Sequence, residues 1–482
     1  MKTKQDIIDY LHDVEMGIGF QDLYDYVINK DACVLCGACI SLCPRIGMKN
    51  RRPVLLESDP ECSLCFKYCA RTYFPEEMFG KIIFKEQITK DFLLGHYQKI
   101  IAARSTDEDI LKLAQNGGIV TTLLNHALNT GLIDGVLSAT KDEEWVPKPF
   151  VARTAKEILS LAGSIYAMAP TLLSYRDAVD KYKLKKLAFV GMPCQIQAAR
   201  KLQLFPPLSE EYGKITLIIG LYCTSNYSYD LMEKLVEEKL DIKLQNIKKF
   251  DISRGRFIVY TKDGRKKEVL IKETKKYNWP SCQYCKDYSA EFSDISVGSV
   301  GKPKDNWNSV IIRSEIGKRL FDDALIKRKI IKNDNVDIEK IQNEALKKKS
   351  KIKKLDEKVF SALRFLNISD KDIKTYAVLV SLGYGDAQLL SRAMKIKENG
   401  VQDTLNRLKE AGWIKQSNAI FKPINPTKII KDEIYKFKRD FEKNIERIKK
   451  EALADLETLF VQNNLMYVNY NEFIDQIYER PI

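Results

Sequence analysis

Cys33, Cys36, Cys39 and Cys43, followed by Pro44, stand in the spacing C-x2-C-x2-C-x3-C-P. Three thiolates spaced this way converge on one cubane iron–sulfur cluster, and the fourth points to a second. Zinc prefers two separated pairs that close a tetrahedron, so four ligands within eleven residues speak against a zinc knuckle. An incomplete second copy follows in Cys62, Cys65 and Cys69, with Asp59 at the position of the missing first ligand. Crosswise ligation gives one cluster Cys33, Cys36, Cys39 and Cys69. It leaves the other Cys43, Cys62 and Cys65, with Asp59 as an oxygen ligand or an open iron. Asp59 reads equally well as a turn residue before Pro60, beside a three-iron cluster. The chemistry implied is transfer of single electrons.

Four more cysteines lie downstream: Cys194 in Gly-Met-Pro-Cys, Cys223 in Gly-Leu-Tyr-Cys, and the C-x-x-C pair Cys282 and Cys285. The first two each follow a predicted buried strand, where functional loops collect. The pair alone suits zinc or a redox dithiol, whereas the four together suit one further cluster held by three loops. Small-residue loops accompany them. Asn116-Gly117-Gly118 lies between the predicted helices 107–114 and 123–128, and a Gly-Gly at a helix start offers free N–H groups to a phosphate or a flavin edge. Gly163-Ser164-Ile165-Tyr166 and Gly298-Ser299-Val300-Gly301 are similar. No strand leads into G-x-G-x-x-G, which disfavours an ordinary nicotinamide-binding unit.

These motifs need about three or four domains to position them in a chain of 482 residues. Apolar content of 45% supports buried cores, and no apolar run approaches the ~18 residues of a membrane span. The N-terminus is polar rather than a signal-peptide core. Eleven cysteines without a secretory segment fit a reducing cytoplasm, where they serve metals and not disulfides. His12, His96 and His126 are scattered, which argues against histidine-based catalysis. Apolar runs at 186–190 and 214–219 alternate with amphipathic stretches.

The expected fold class is an α/β catalytic domain with an N-terminal ferredoxin-like α+β cluster module and an all-α, winged-helix C-terminal region. The module, with a helical lead-in, spans 1–88 and the α/β domain 89–345. A basic linker covers 346–356, a winged helix-turn-helix 357–424, and a long helix with a tail 425–482. The net charge of +14 is concentrated beyond residue 340. It suits a solvated face, nucleic acid, or an acidic partner or cofactor.

From Ile100 to Gly301 the chain resembles the beta subunit of coenzyme F-420 hydrogenases and dehydrogenases. The resemblance is carried by Arg104-Ser105, Asn116 to Val120, Gly163 to Tyr166, Pro193-Cys194-Gln195, Gly220 to Cys223, Cys282 to Tyr288 and Asp294 to Gly301. Asp59, where that family usually has cysteine, and Ala70, where it usually has proline, depart from it. The resemblance implies an FAD-containing oxidoreductase of the deazaflavin coenzyme F-420. Hydride passes between that coenzyme and FAD, and single electrons pass through two or three 4Fe-4S clusters, one of them three-iron or Asp59-ligated. The wire ends at an electron-transfer protein or a hydrogenase or dehydrogenase subunit. The residues it implies around FAD are Arg104, Ser105, Asn116, Gly117, Gly118, Thr121, Gly163, Ser164, Tyr166, Gly298, Val300 and Gly301. The same scaffold serves ferredoxin-dependent reductases of other substrates.

Near the C-terminus, Ser369 caps a predicted helix to Leu382, Asp386–Met394 forms a second, and Lys397–Gly412 a third. A small hairpin and a long helix from Pro426 follow. This pattern resembles a winged helix-turn-helix of the archaeal sugar-regulator type. In a DNA binder the third helix would offer Asn399, Gln402, Asn406 and Arg407, but Glu398, Asp403 and Glu410 on the same helix oppose phosphate. Docking or self-association is the other use of such a domain. A redox-sensing DNA-binding regulator is therefore the alternative to an enzyme.

Overall fold

A computed structural model of the chain describes residues 19–58, 62–84, 90–205, 213–351, 357–364, 368–453 and 455–459. Asp59, most of the helical lead-in, residues 352–356 of the expected linker and the tail beyond 459 lie outside them. The chain divides into two compact units after Lys351.

The larger unit is built on an eight-stranded sheet. In spatial order the strands are Ile330–Asn333, Lys99–Ser105, Asn308–Ile312, Ile295–Gly298, Ile215–Leu221, Leu187–Gly191, Gly135–Lys141 and Pro147–Ala152. The four from Ile295–Gly298 to Gly135–Lys141 pair in parallel, with antiparallel strands on both flanks. Leu187–Gly191 is buried throughout, as an apolar run covered on both faces should be. The expected runs at 186–190 and 214–219 are thus central strands.

Lys99–Ser105 is two antiparallel steps from Ile295–Gly298, so it points the same way as the parallel four. Five strands therefore finish on one edge of the sheet. In an open α/β sheet, ligands occupy that edge.

Helices cover both faces. Ile119–Asn129 and Glu315–Ile326 bury Ile119, Leu123, Leu320 and Phe321 on one side. Pro193–Leu204 buries Ile196, Ala199 and Leu202 on the other. The N-terminal segment shares that second core through Val34, Tyr68 and Phe79, and the Tyr68 hydroxyl donates to the Phe205 carbonyl at 2.7 Å. Residues of the expected 1–88 module are therefore packed onto the sheet. A three-stranded meander, Ile247–Ser253, Arg256–Thr261 and Lys266–Leu270, adds an aromatic cluster around Phe250 and Phe257.

The linker expected over 346–356 begins instead as helix. Ile338–Lys349 is capped by Asp337, which accepts from the Lys340 amide at 3.0 Å. Ile341, Ala345 and Lys348 recur at helical spacing and are all buried. Helical periodicity carries the basic run into the core.

The smaller unit has the expected winged-helix order. Ser369 caps Asp370–Leu382 through the Asp372 amide, and Asp386 caps Ala387–Met394 through the Leu389 amide. Glu398–Glu410 follows, then the hairpin Ile414–Ser417 with Ile420–Pro423, and the helix Pro426–Arg447.

Candidate functional site

Cys194 opens the helix Pro193–Leu204 directly after the strand Leu187–Gly191, and Cys223 follows the strand ending at Leu221. Cys282 lies in a short turn behind Trp279, with Cys285 one turn on. The thiols are brought together: burial pushes Cys194 well up, and Cys285, Cys223 and Cys282 all add to it. Burial likewise raises Cys223 to about 12, with contributions from Cys282 and Cys285. The Asn226 amide donates to Cys282 Sγ at 3.3 Å. Such crowded thiols repel one another as thiolates unless a positive centre neutralises them.

Sequence reasoning missed a buried cation at this set. Lys348 is almost wholly buried, donates to the Cys223 carbonyl, and is held protonated against its own burial by Cys223 and Cys285. Its signal was present, because Lys348 continues the stripe of Ile341 and Ala345.

A second set assembles in the N-terminal segment. Cys33, Cys36, Cys39 and Cys69 line one cavity with Val27, Ile28 and Pro53. Burial lifts Cys33 to about 11 and Cys36 to about 12, in both cases with help from Cys69. This grouping is the one crosswise ligation requires. Cys65, raised by burial to about 12, feels Cys62 and Cys43, the other two thiols left over from the motif pair. All eleven cysteines are free thiols. Among the described residues, no three His, Cys, Asp or Glu side chains close to the distances of a single-ion site. A cubane makes no such demand, because each cysteine takes a different iron.

The glycine loops meet at the strand-end edge. The Ser105 amide donates to the Gly117 carbonyl at 2.7 Å, and the buried Ser105 hydroxyl accepts from Thr122 at 2.7 Å. Gly118 takes φ +71° at the start of Ile119–Asn129, a left-handed turn suited to glycine. Asn308, unnoticed in the sequence, joins two loops: its amide donates to the Gly298 carbonyl at 3.2 Å, and a Cβ on Gly117 would meet it at 2.8 Å. Lys302 Nζ donates to Asn116 Oδ1 at 2.7 Å, and Ser309 donates to the Val300 carbonyl at 2.7 Å. Gly301, at φ +79°, packs against Asp337 and Ile341. Thr121 is buried in the first turn of its helix. The 163–166 loop reaches the same neighbourhood less directly: Gly163 lies beside the Leu113 carbonyl, and Tyr166 packs edge-on to Phe250. Burial opposes ionisation of the Tyr166 hydroxyl. Arg104 Nε is buried with no hydrogen-bond partner, an orphan donor suited to a phosphate or ring oxygen.

A tyrosine ring links the two regions. The Tyr222 ring lies on Gly298, where an added Cβ would stand 1.9 Å from Cδ2. Its neighbour is Cys223.

Two family models describe the coenzyme F-420 hydrogenase/dehydrogenase beta subunit: the one for its N-terminal part matches residues 100–174, and the one for its C-terminal part matches 184–339. The coenzyme F-420 hydrogenase subunit beta of Methanosarcina barkeri is 41% identical over 238 residues, 49% of this chain and 81% of that protein. This chain belongs to the family of coenzyme F-420 hydrogenase/dehydrogenase beta subunits. The coenzyme F-420 hydrogenase subunit beta of Methanococcus voltae is 38% identical over 266 residues, covering 54% of this family member and 94% of the relative. A chain in the structure of the F-420-reducing NiFe hydrogenase complex of Methanosarcina barkeri is 37% identical, with a TM-score of 0.53. That likeness covers 55% of this chain and 92% of the other. A 4Fe-4S binding domain model matches 26–45, and the sugar-specific transcriptional regulator TrmB model matches 363–427. The chain is an oxidoreductase of this family, with a 4Fe-4S motif ahead of the α/β domain and a winged-helix region behind it. Among the described residues no helix is long and apolar enough to cross a membrane.

Proposed function

We propose that this protein is a cytoplasmic, FAD-dependent oxidoreductase of coenzyme F-420 that exchanges single electrons with a partner subunit through its cysteine sets. The observation that carries the reading is Tyr222, whose ring packs on Gly298 of the glycine loops while the next residue, Cys223, belongs to the buried thiol set. When bound, FAD would exchange a hydride with the deazaflavin and give up its electrons singly. The residues supply the surroundings. Arg104, Ser105, Asn116–Gly118, Thr121, Gly163–Tyr166 and Gly298–Gly301 would hold the flavin at the strand ends, with the orphaned Arg104 Nε for one acceptor. Cys194, Cys223, Cys282 and Cys285 would hold one cubane, Cys33, Cys36, Cys39 and Cys69 a second, and Cys43, Cys62 and Cys65 a third cluster. The N-terminal segment would thereby act as a ferredoxin-like module.

Anaerobic protein should contain flavin and about eight to twelve irons per chain, for two or three cubanes, and should oxidise reduced coenzyme F-420 with a dye acceptor. Cys194→Ala should lose about four irons, retain flavin, and no longer reduce the dye. Unchanged iron content in that variant would remove Cys194 from the ligand set.

The regulator match over 363–427 favours a second use of the C-terminal unit, in binding DNA or docking a protein. Retention of one DNA sequence over scrambled duplex, altered by cluster oxidation, would turn the reading toward a redox-sensing regulator.

A further inference from the structure

Arg71 stands between two cysteine sets that come from separate stretches of the larger unit. Its backbone N–H donates to Cys69 Sγ at 3.4 Å. Its Nη2 donates to the carbonyl of Ser281, the residue before Cys282, at 3.3 Å. Its Nε is buried and has no hydrogen-bond partner. A guanidinium is always charged, and a buried donor left open is costly unless something accepts from it. A second tie runs in parallel: Trp279 Nε1 donates to the Cys33 carbonyl at 2.7 Å.

We propose that Arg71 is a positioning residue for electron transfer, one cation shared by the Cys194/Cys223/Cys282/Cys285 set and the Cys33/Cys36/Cys39/Cys69 set, raising the reduction potential of both. This deepens the electron-transfer reading above and rests on those two ligand sets. It also fixes their order, because the Cys33 set rather than the Cys43/Cys62/Cys65 set neighbours the flavin-side cysteines. One electron passing between them oxidises the donor set and reduces the acceptor set, with no bond or proton exchanged. Positive charge and hydrogen bonds toward cluster sulfur raise potentials, so a single guanidinium facing both sets raises the two together.

The test is a redox titration of the anaerobic full-length protein, followed by electron paramagnetic resonance. Arg71→Met should lower two cluster midpoints together, by about tenfold in each reduction equilibrium, or about 59 mV for a one-electron couple. Arg71→Lys should recover part of both shifts. Lys348→Met, which faces only the Cys223 side, should move one midpoint alone. Movement of a single midpoint in Arg71→Met, or of neither, overturns the proposal. Should Arg71→Met fail to assemble, Arg71→Gln, which keeps polar donors but removes the charge, decides: two cluster midpoints must fall together. A shift of one midpoint alone in that variant, or of neither, overturns the shared-cation arrangement. Iron near zero in the unmodified protein would sink the ligation reading itself, whereas normal iron with unmoved potentials sinks only the role of Arg71.

Discussion

Trp279 Nε1 donates to the carbonyl oxygen of Cys33 at 2.7 Å, joining residues 246 positions apart. The indole also heads the turn that presents Cys282, so one hydrogen bond holds two cysteine loops in register. Trp279→Phe keeps most of the apolar area but removes the donor. It should cost about 1 kcal/mol for the lost bond, more if the Cys33 carbonyl finds no water. The expected outcome is faster loss of iron from anaerobic protein under a chelator, with flavin content unchanged. Iron release at the unmodified rate would show that the bond is dispensable to the cysteine loops.

Lys348 makes a sharper case, because its charge is buried against a cysteine loop. Its neighbour Lys349 pairs with Glu291, and the two lysines oppose the rise of the buried Asp287, which burial and Glu291 push up to about 6. Lys348→Met removes a charged donor from the Cys223 carbonyl, at a cost of about 1.5–3 kcal/mol. The melting temperature should fall, and the Cys223-side cluster should become harder to reduce. Lys348→Arg should restore the potential more fully than the stability, since a guanidinium is bulkier than the space an ammonium leaves.

Gly298 separates a packing role from a binding role. A methyl there would overlap the Tyr222 ring, so Gly298→Ala should force Tyr222 aside at a cost of about 1–3 kcal/mol. Flavin loss is expected along with the destabilisation. The double variant Gly298→Ala with Tyr222→Leu should recover the stability, and thermal denaturation with flavin release read on one sample checks both.

The thiols and central strands were legible in the sequence because their signals are local: a cysteine spacing, an apolar run, a cap three residues ahead of its amide. Ser369 caps where the pattern put it, and Cys69 joins Cys33, Cys36 and Cys39 as crosswise ligation requires. What pairs at long range was not legible. Arg71 meets Ser281 across 210 residues, and the Ile119 amide meets Asn308 across 189; nothing local marks either partner. Lys348 was hidden differently. A run of three lysines reads as solvated linker, and only helical phase relative to Ile341 shows that the middle one faces inward.

The winged helix carries the last prediction. On Glu398–Glu410, the helix that would read bases, Arg407 is tied to Asp372 at 2.6 Å and to Thr404 at 3.1 Å, and Gln402 is bonded to Asn406 at 3.0 Å. Three of the four side chains expected to reach bases thus have partners within the fold, and Asn399 alone of them has no such bond described. Base contacts would have to break these bonds first, next to Glu398, Asp403 and Glu410. The full-length protein should therefore show only weak DNA binding that falls steeply between 50 and 200 mM salt, about 10³-fold or more if six or more phosphates are contacted, with no preference among sequences. Arg407→Ala should lower stability by no more than about 1 kcal/mol, because the ion pair is half exposed on the arginine side. It should leave the salt slope nearly unchanged. Fluorescence anisotropy with two unrelated duplexes at several salt concentrations decides it: a sequence preference lost in Arg407→Ala would make this helix a reader of DNA and its bond to Asp372 a resting state.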